Sequence, residues 1–177
     1  PAAGDLAKWD STVTAENAVL LGANLSFSGL VVANPVGPVY IGGTNTLTLG
    51  CQGINMSSAT ANLSLSNATL ALLSYVSPAW NIASGRMLTV TPSNLTRGAR
   101  TTLSIQGAGT VASTAFTNTS TGIIGPWARY GTTTSTKYAA VSAGNIVGYN
   151  PGSSVAASGV TDTTGTTNYD VSAAGAL

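Results

Sequence analysis

Residues 46–72 read TLTLGCQGINMSSATANLSLSNATLAL, and this stretch decides the fold class. Its leucines come in pairs separated by one small residue: Leu47 and Leu49, Leu63 and Leu65, Leu70 and Leu72. Successive side chains of a β-strand point to opposite faces, so a period of two predicts strands with one apolar and one polar face. Gly, Asn and Ser between the pairs predict turns.

The same alternation continues along the chain, where Leu88 pairs with Val90 and Leu103 with Ile105. The high Thr, Ser and Gly content disfavours helix throughout. An antiparallel sandwich and a β-solenoid both accommodate such strands, but a sandwich favours even spacing. The apolar pairs begin at positions 47, 63, 88 and 103, so the intervals between them are uneven. This uneven spacing favours an all-β, right-handed parallel β-helix, with a hairpin or a looser rung near the C-terminal third.

The composition limits the classes of function. Only 6% of the 177 residues are charged, against roughly 25% in a typical soluble domain, and none lies between Glu16 and Arg86. Six scattered basic residues do not provide the clustered charge that nucleic-acid binding needs. The apolar residues come in pieces too short for a membrane-spanning helix. A nearly neutral surface of hydroxyls and amides favours association with other copies.

Catalysis has few candidate residues. The chain has no histidine, which excludes Ser-His-Asp and Cys-His arrangements and histidine-based metal sites. Its five acids lie near the chain ends: Asp5, Asp10, Glu16, Asp162 and Asp170. We expect solvated turn residues here, with no catalytic, cofactor or metal site and no cofactor; a carbohydrate-active enzyme is the least favoured alternative. The single Cys51 is expected to be a small buried residue.

Six asparagines begin Asn-X-Ser/Thr triplets: Asn24, Asn55, Asn62, Asn67, Asn94 and Asn118. In a chain this rich in Ser and Thr, several such triplets are expected by chance. Asparagines stacked in a solenoid form ladders of amide hydrogen bonds along its axis, and this interpretation is favoured over glycosylation.

Residues 122–131, GIIGPWARYG, concentrate aromatic and basic side chains in a chain that otherwise has few. Together with TKYAAVS they flank a loop of Gly and Thr, which predicts a β-hairpin. Its Trp127, Tyr130 and Tyr138 are expected to cover the side of the solenoid. The alternative is an assembly or adhesion patch of Trp127, Arg129, Tyr130 and Tyr138, because Trp, Tyr and Arg are enriched in binding hot spots.

A family resemblance adds to these arguments. Five motifs follow one another along the chain: a Gly-Leu-Val turn at residues 29–31, TNTLTLG, GINMS, WNIASG and LTV. Their order resembles the autotransporter-associated β-strand repeat of giant secreted bacterial proteins. Residues 117–150 resemble a segment that follows such repeats. The resemblance covers about residues 25–149. It implies a right-handed parallel β-helix within a long exported stalk or fibre, and it carries over no catalytic residue.

These observations predict three regions: a solenoid over residues 1–115, a strand-loop-strand segment that continues it over 116–150, and a connector over 151–177. Residues 1–10 are expected to connect to a neighbouring unit. We expect a non-enzymatic, extracellular structural module that joins end to end with neighbouring copies or adjacent repeats, because an uncapped slice of solenoid must continue or dock. The alternative is an adhesin that binds surface glycans or a host protein through its aromatic edge.

Overall fold

The computed structural model describes residues 4–132, 135–150, 154–156 and 170–173, and these residues contain no helix. Seventeen strands follow one another along the chain: β1 Leu6–Trp9, β2 Asn17–Leu20, β3 Leu25–Val32, β4 Val39–Gly42, β5 Thr46–Met56, β6 Leu63–Leu65, β7 Thr69–Leu72, β8 Ala79–Ile82, β9 Met87–Val90, β10 Asn94–Arg97, β11 Leu103–Gly107, β12 Thr110–Ser113, β13 Ala128–Thr132, β14 Ser135–Ser142, β15 Asn145–Gly148, β16 Ser154–Ala156 and β17 Asp170–Ala173.

The strands stack in parallel on three faces of a solenoid with about 5 turns, which confirms the predicted fold class. Face A consists of β1, β3, β5, β8, β11 and β13. Face B consists of β2, β4, β6, β9 and β12. Face C consists of the first halves of β3 and β5, followed by β7 and β10. The long strands β3 and β5 therefore pass around the corner from face C to face A.

The three faces explain the uneven spacing of the apolar pairs. Leu63 on face B is in register with Leu88, because each of them belongs to the face B strand of its own turn. Leu47 instead lies on face C, and Leu103 lies on face A. The shorter intervals therefore step from one face to another, and only the interval from Leu63 to Leu88 measures a full turn.

The core is a set of inward columns in which each turn stacks on the one before. On face A one column runs through Leu30, Ile54, Trp80 and Ile105, all of them buried. Every leucine of the sequence pairs named above is at most 2% exposed. Burying one such side chain contributes about 1.5–3 kcal/mol, so the columns are the main stabilising feature of the fold.

Asparagine side chains join neighbouring turns by bonding to backbone groups. The Asn24 Oδ1 accepts from the Thr46 N–H at 2.9 Å, and the Asn62 Oδ1 accepts from the Met87 N–H at 2.9 Å. Asn55 bonds within its own turn instead, to Ser57. These amides bind backbone groups where the sequence predicted an amide-to-amide ladder. The reason is that a corner leaves backbone N–H and C=O groups outside the strand ladders, and these groups need partners.

The expectation that Cys51 is buried was wrong, since its side chain is exposed. Phe27 pairs with Leu49 but Gly29 pairs with Gly53, so β5 contains two more residues than β3 between these pairs. Cys51 lies in this bulge at the corner between faces C and A. The inward–outward alternation does not hold through a bulge, which is why the sequence pattern misplaced the thiol.

The C-terminal end of the solenoid is closed by an antiparallel meander. The predicted hairpin is present, formed by β13 and β14, and β14 also pairs with β15. β15 then pairs antiparallel with β12, so the meander joins face A to face B across this end. Residues 114–127 cross in the place of a face C strand, and the Asn118 side chain exchanges two hydrogen bonds with the Val141 backbone. On faces A and B the meander therefore takes the place of a further parallel turn at this end.

The structure describes most of one segment that was expected to be a connector and only a small part of the other. Residues 6–9 form β1 and pair with β3, so they belong to the first turn. Most of the connector expected over residues 151–177 lies outside the described residues, and its described part is a parallel pair of β16 with β17.

Candidate binding and assembly surfaces

Trp127 of the predicted patch packs against the end of the core. Its ring stacks on Phe116, with centroids 6.2 Å apart and planes at 29°. Phe116 in turn meets Trp80 edge-on at 5.9 Å. Trp127 is half-buried, so much of its surface serves the closure of this end.

Tyr130 also faces inward in part. It pairs with Ile105 and extends the column of Trp80 and Ile105 by one turn. Its ring packs against the core and, with Lys137 and Gly148, lines a shallow groove of about 300 Å³. Tyr130 is thus shared between packing and surface.

Arg129 and Tyr138 are the two members of the predicted patch that are exposed together. They lie directly opposite each other in the antiparallel pairing of β13 with β14. The Arg129 Cζ lies 5.4 Å from the centroid of the Tyr138 ring, within the range of a cation–π interaction. The structure therefore divides the predicted patch into an outward pair and two packing aromatics.

Two further arginine–aromatic pairs lie at the corner between faces C and A, and sequence reasoning missed both. The Arg97 Cζ lies 5.2 Å from the centroid of the Trp127 ring, and the Arg100 Cζ lies 5.9 Å from that of Tyr75. Tyr75 and Arg100 have the same separation along the chain as Leu63 and Leu88, which is one full turn, and this spacing is the signal that could have found that pair. Chain segments this far apart become neighbours only through stacking of the turns.

Backbone conformation marks the same corner. Tyr75 has φ 60° and Arg100 has φ 57°, two of the three non-glycine residues with positive φ among the described residues. Such left-handed conformations cost about 1–3 kcal/mol each and persist where the surroundings hold them. Here the stacked corners hold them: the Tyr75 N–H donates to the Ala99 carbonyl, and the Thr102 hydroxyl bonds Ser77 at 3.0 Å.

The described residues give the arginines of these pairs no acidic partner. The sequence contains no Asp or Glu between Glu16 and Asp162. Among the residues that the structure describes, Arg97, Arg100 and Arg129 contact no carboxylate, and Arg97 donates to the Thr101 carbonyl at 3.0 Å. Three guanidinium groups thus lie near one corner without compensating negative charge from the described chain.

In the described part of the chain, nothing covers the opposite, N-terminal end of the stack, which we call the open end. A cavity of about 110 Å³ opens there, lined only by apolar and aromatic side chains: Ala7, Trp9, Val19, Leu21, Leu25, Phe27, Leu30, Ile41 and Leu47. Within the described chain, β1 and β2 pair on one side only, with β3 and β4. The apolar cavity and the unpaired edges of β1 and β2 together form a surface that a further turn of the solenoid could cover.

Asp10, an acid of the first turn, is poorly suited to proton transfer at neutral pH. The pKa of Asp10 is lowered to about 2 by a hydrogen bond from the Thr12 backbone N–H, helped by the Thr12 hydroxyl and by Lys8 at 3.1 Å. A general acid works best with a pKa near the operating pH, and Asp10 is far below neutrality. Within the described part of the chain, no group of three or more His, Cys, Asp or Glu residues could hold a metal ion.

Over the same described residues there is also no helix with the length and hydropathy needed to cross a bilayer. Comparisons with protein-family models, with curated proteins and with solved structures find no match to this chain. The resemblance to autotransporter-associated repeats thus depends on the sequence motifs alone.

Proposed function

We propose that the chain is a non-enzymatic structural module of an extracellular β-solenoid stalk or fibre, and that its open end packs against an adjoining turn of the same polypeptide. The open end is the observation that carries this proposal. A free-standing end would leave the strand edges of β1 and β2 and the apolar cavity in water, and exposed edges of this kind pair readily with further strands.

Geometry favours an adjoining turn over a second copy. The closed end has β14 paired on both sides, so its meander offers no free strand edge of β14 to β1 or β2 of another molecule. Two open ends placed against each other would bring together like charges, because the first sixteen residues contain Asp5, Asp10 and Glu16 against Lys8 alone. A parallel turn continues both the ladders and the inward columns.

The extracellular and fibrous parts of the proposal are supported by the repeat-like motifs and by the surface chemistry. A surface of hydroxyls and amides with 6% charged residues suits a long repetitive assembly, and stacking of equivalent turns extends without limit until it is capped. The closed C-terminal end supplies such a cap.

Grafting one turn onto the open end tests the proposal. Leu6 pairs with Gly29 and Gly29 with Gly53, and Ala79 occupies the equivalent place one turn later. A second copy of residues 53–78 joined directly before Leu6 should therefore continue every column in register. We expect amide exchange in β1 and β2 to slow at least about tenfold and the free energy of unfolding to rise by at least about 2 kcal/mol, the contribution of one buried leucine.

The matched control is the same graft with serine at the copies of Ile54, Met56, Leu63, Leu65, Leu70 and Leu72, which keeps the length and removes the inward side chains on all three faces. It should leave the exchange of β1 and β2 unchanged. Equal protection by both grafts would contradict the proposal. Concentration-dependent dimers of the ungrafted chain in sedimentation, with slowed exchange in β1 and β2, would make a second copy the occupant instead.

A further inference from the structure

Three arginine–aromatic pairs form one continuous feature, which we call the arginine–aromatic ridge: Tyr75, Arg97, Arg100, Trp127, Arg129 and Tyr138. Ala79, Ser104 and Arg129 are in register on face A. Tyr75 and Arg100 each lie four residues before the first two of these, so they occupy equivalent places in successive turns. Trp127 lies two residues before Arg129 in the next turn. The ridge thus follows one corner and the adjoining edge of face A over the last three turns.

We propose that the arginine–aromatic ridge binds an acidic polysaccharide through the carboxylates of its uronic acid units. The proposal rests on the contacts of this corner and does not depend on the proposed role of the open end. It goes beyond the predicted patch, because it adds Tyr75, Arg97 and Arg100.

The geometry of the guanidinium group favours binding of a carboxylate. A ring beneath a guanidinium fixes its plane while its N–H edges stay exposed, and a planar fork of N–H donors matches a carboxylate bidentately. Arg97, Arg100 and Arg129 are all exposed and all lie over aromatic rings at 5.2–5.9 Å. No carboxylate of the described residues lies against these three guanidinium groups, so their outward N–H edges are suited to bind an anion.

The aromatic rings of the ridge and the hydroxyls beside it indicate which class of anion it binds. Each aromatic ring of the ridge is already engaged by an arginine, and Trp127 also by Phe116, so stacking platforms for nucleobases are not free. Exposed hydroxyls of Ser77 and Thr102 lie on the same corner, where they can bond sugar hydroxyls. A polymer that alternates hydroxyls with one carboxylate per sugar fits this surface best.

The test measures calorimetric binding of polygalacturonate to the full chain, with dextran and oligo-dT as comparison polymers. The double variant R97Q/R129Q removes two ridge charges. Its matched control, K8Q/R86Q, removes two charges away from the arginine–aromatic contacts, where Lys8 pairs with Asp10 at 3.1 Å and Arg86 donates to the Thr60 carbonyl. We expect polygalacturonate binding to weaken about tenfold for each ridge arginine removed, and to change less than about twofold in the control.

Two further variants separate geometry from charge and from folding. R97K/R129K keeps the charge but loses the planar fork, so it should bind more weakly than the natural chain and more tightly than R97Q/R129Q. R129Q alone changes an exposed strand position and keeps the Arg97 contacts with Trp127 and Thr101, so it tests the ridge even if R97Q unfolds the corner.

Four results would overturn the inference. These are no binding of polygalacturonate, equal losses of binding in R97Q/R129Q and K8Q/R86Q, tighter binding of oligo-dT than of polygalacturonate, and loss of self-association in R97Q/R129Q with polygalacturonate binding unchanged. Tighter binding of oligo-dT would assign the ridge to nucleic acid, and loss of self-association would assign it to contact with a second copy of the chain. The graft experiment at the open end does not involve these arginines, so the two proposals fail independently.

Discussion

Phe116 meets Trp80 edge-on, with ring centroids 5.9 Å apart and planes at 83°. Trp80 is fully buried in face A, and Phe116 comes from residues 114–127, which link β12 to β13. This single contact therefore joins the closing segment to the core. It also distinguishes the closed end from the open one, where the corresponding apolar floor borders a cavity.

Replacement of Phe116 by Ala should open the closed end. Phe116 is 4% exposed, so its loss should lower the free energy of unfolding by about 3–5 kcal/mol in urea denaturation. Tyr40→Ala is the control, because Tyr40 lies outward on face B at 40% exposed and should cost less than about 1 kcal/mol. Similar losses in the two variants would show that Phe116 does not hold this end.

Substitution of two glycines with similar backbone conformation separates the cost of a strained φ from the cost of a steric collision. Gly53 has φ 61° and Gly85 has φ 70°. A Cβ at Gly53 would collide with the Ala79 carbonyl of the next turn, whereas a Cβ at Gly85 meets nothing within 4 Å. Gly85→Ala should cost about 1–2 kcal/mol of unfolding free energy and Gly53→Ala more than about 3 kcal/mol. If thermal melts rank them equally, the close approach of the turns at Gly53 is not as described.

The bond between Asn62 and the next turn predicts a position-specific effect of asparagine loss. Asn62→Ala leaves the Met87 N–H without its side-chain acceptor and should cost about 1 kcal/mol in chemical denaturation. Asn94 also begins an Asn-X-Ser/Thr triplet but is exposed and makes no side-chain bond to the described residues, so Asn94→Ala should stay within about 0.5 kcal/mol. The reverse order of these two losses would refute the role given to Asn62.

The low pKa of Asp10 predicts that the first turn loses stability in acid. Its folded pKa of about 2 lies below the ordinary 3.8, so its stabilising contribution is complete above pH 3.8 and is lost as the pH falls towards 2. A carboxyl NMR titration should give the low value. Thr12→Ala removes the hydroxyl donor and keeps the backbone donor, so the pKa of Asp10 should rise only part of the way. A titration midpoint near 3.8 in the natural chain would contradict the Thr12 contacts.

The sequence predicted the strands and their inward residues well because alternation is a local property. The leucines at 47, 49, 63, 65, 70 and 72 are all inward, as their pattern indicated. Local alternation also breaks at corners, and there the prediction for Cys51 was wrong. Of the predicted patch, Arg129 and Tyr138 form an exposed pair, whereas Trp127 and Tyr130 are half-buried.

The amino-acid sequence by itself determined that this chain forms β-strands, which side chains those strands bury, and that it has no histidine for catalysis. Only the tertiary structure decided that the strands divide among three faces and that Tyr75 meets Arg100. It also decided that, among the described residues, a meander closes the C-terminal end while nothing covers the N-terminal end. The reason is distance along the chain. Alternation acts between near neighbours in the sequence, whereas stacking joins groups a full turn of the solenoid apart, and their pairing depends on the corners between them.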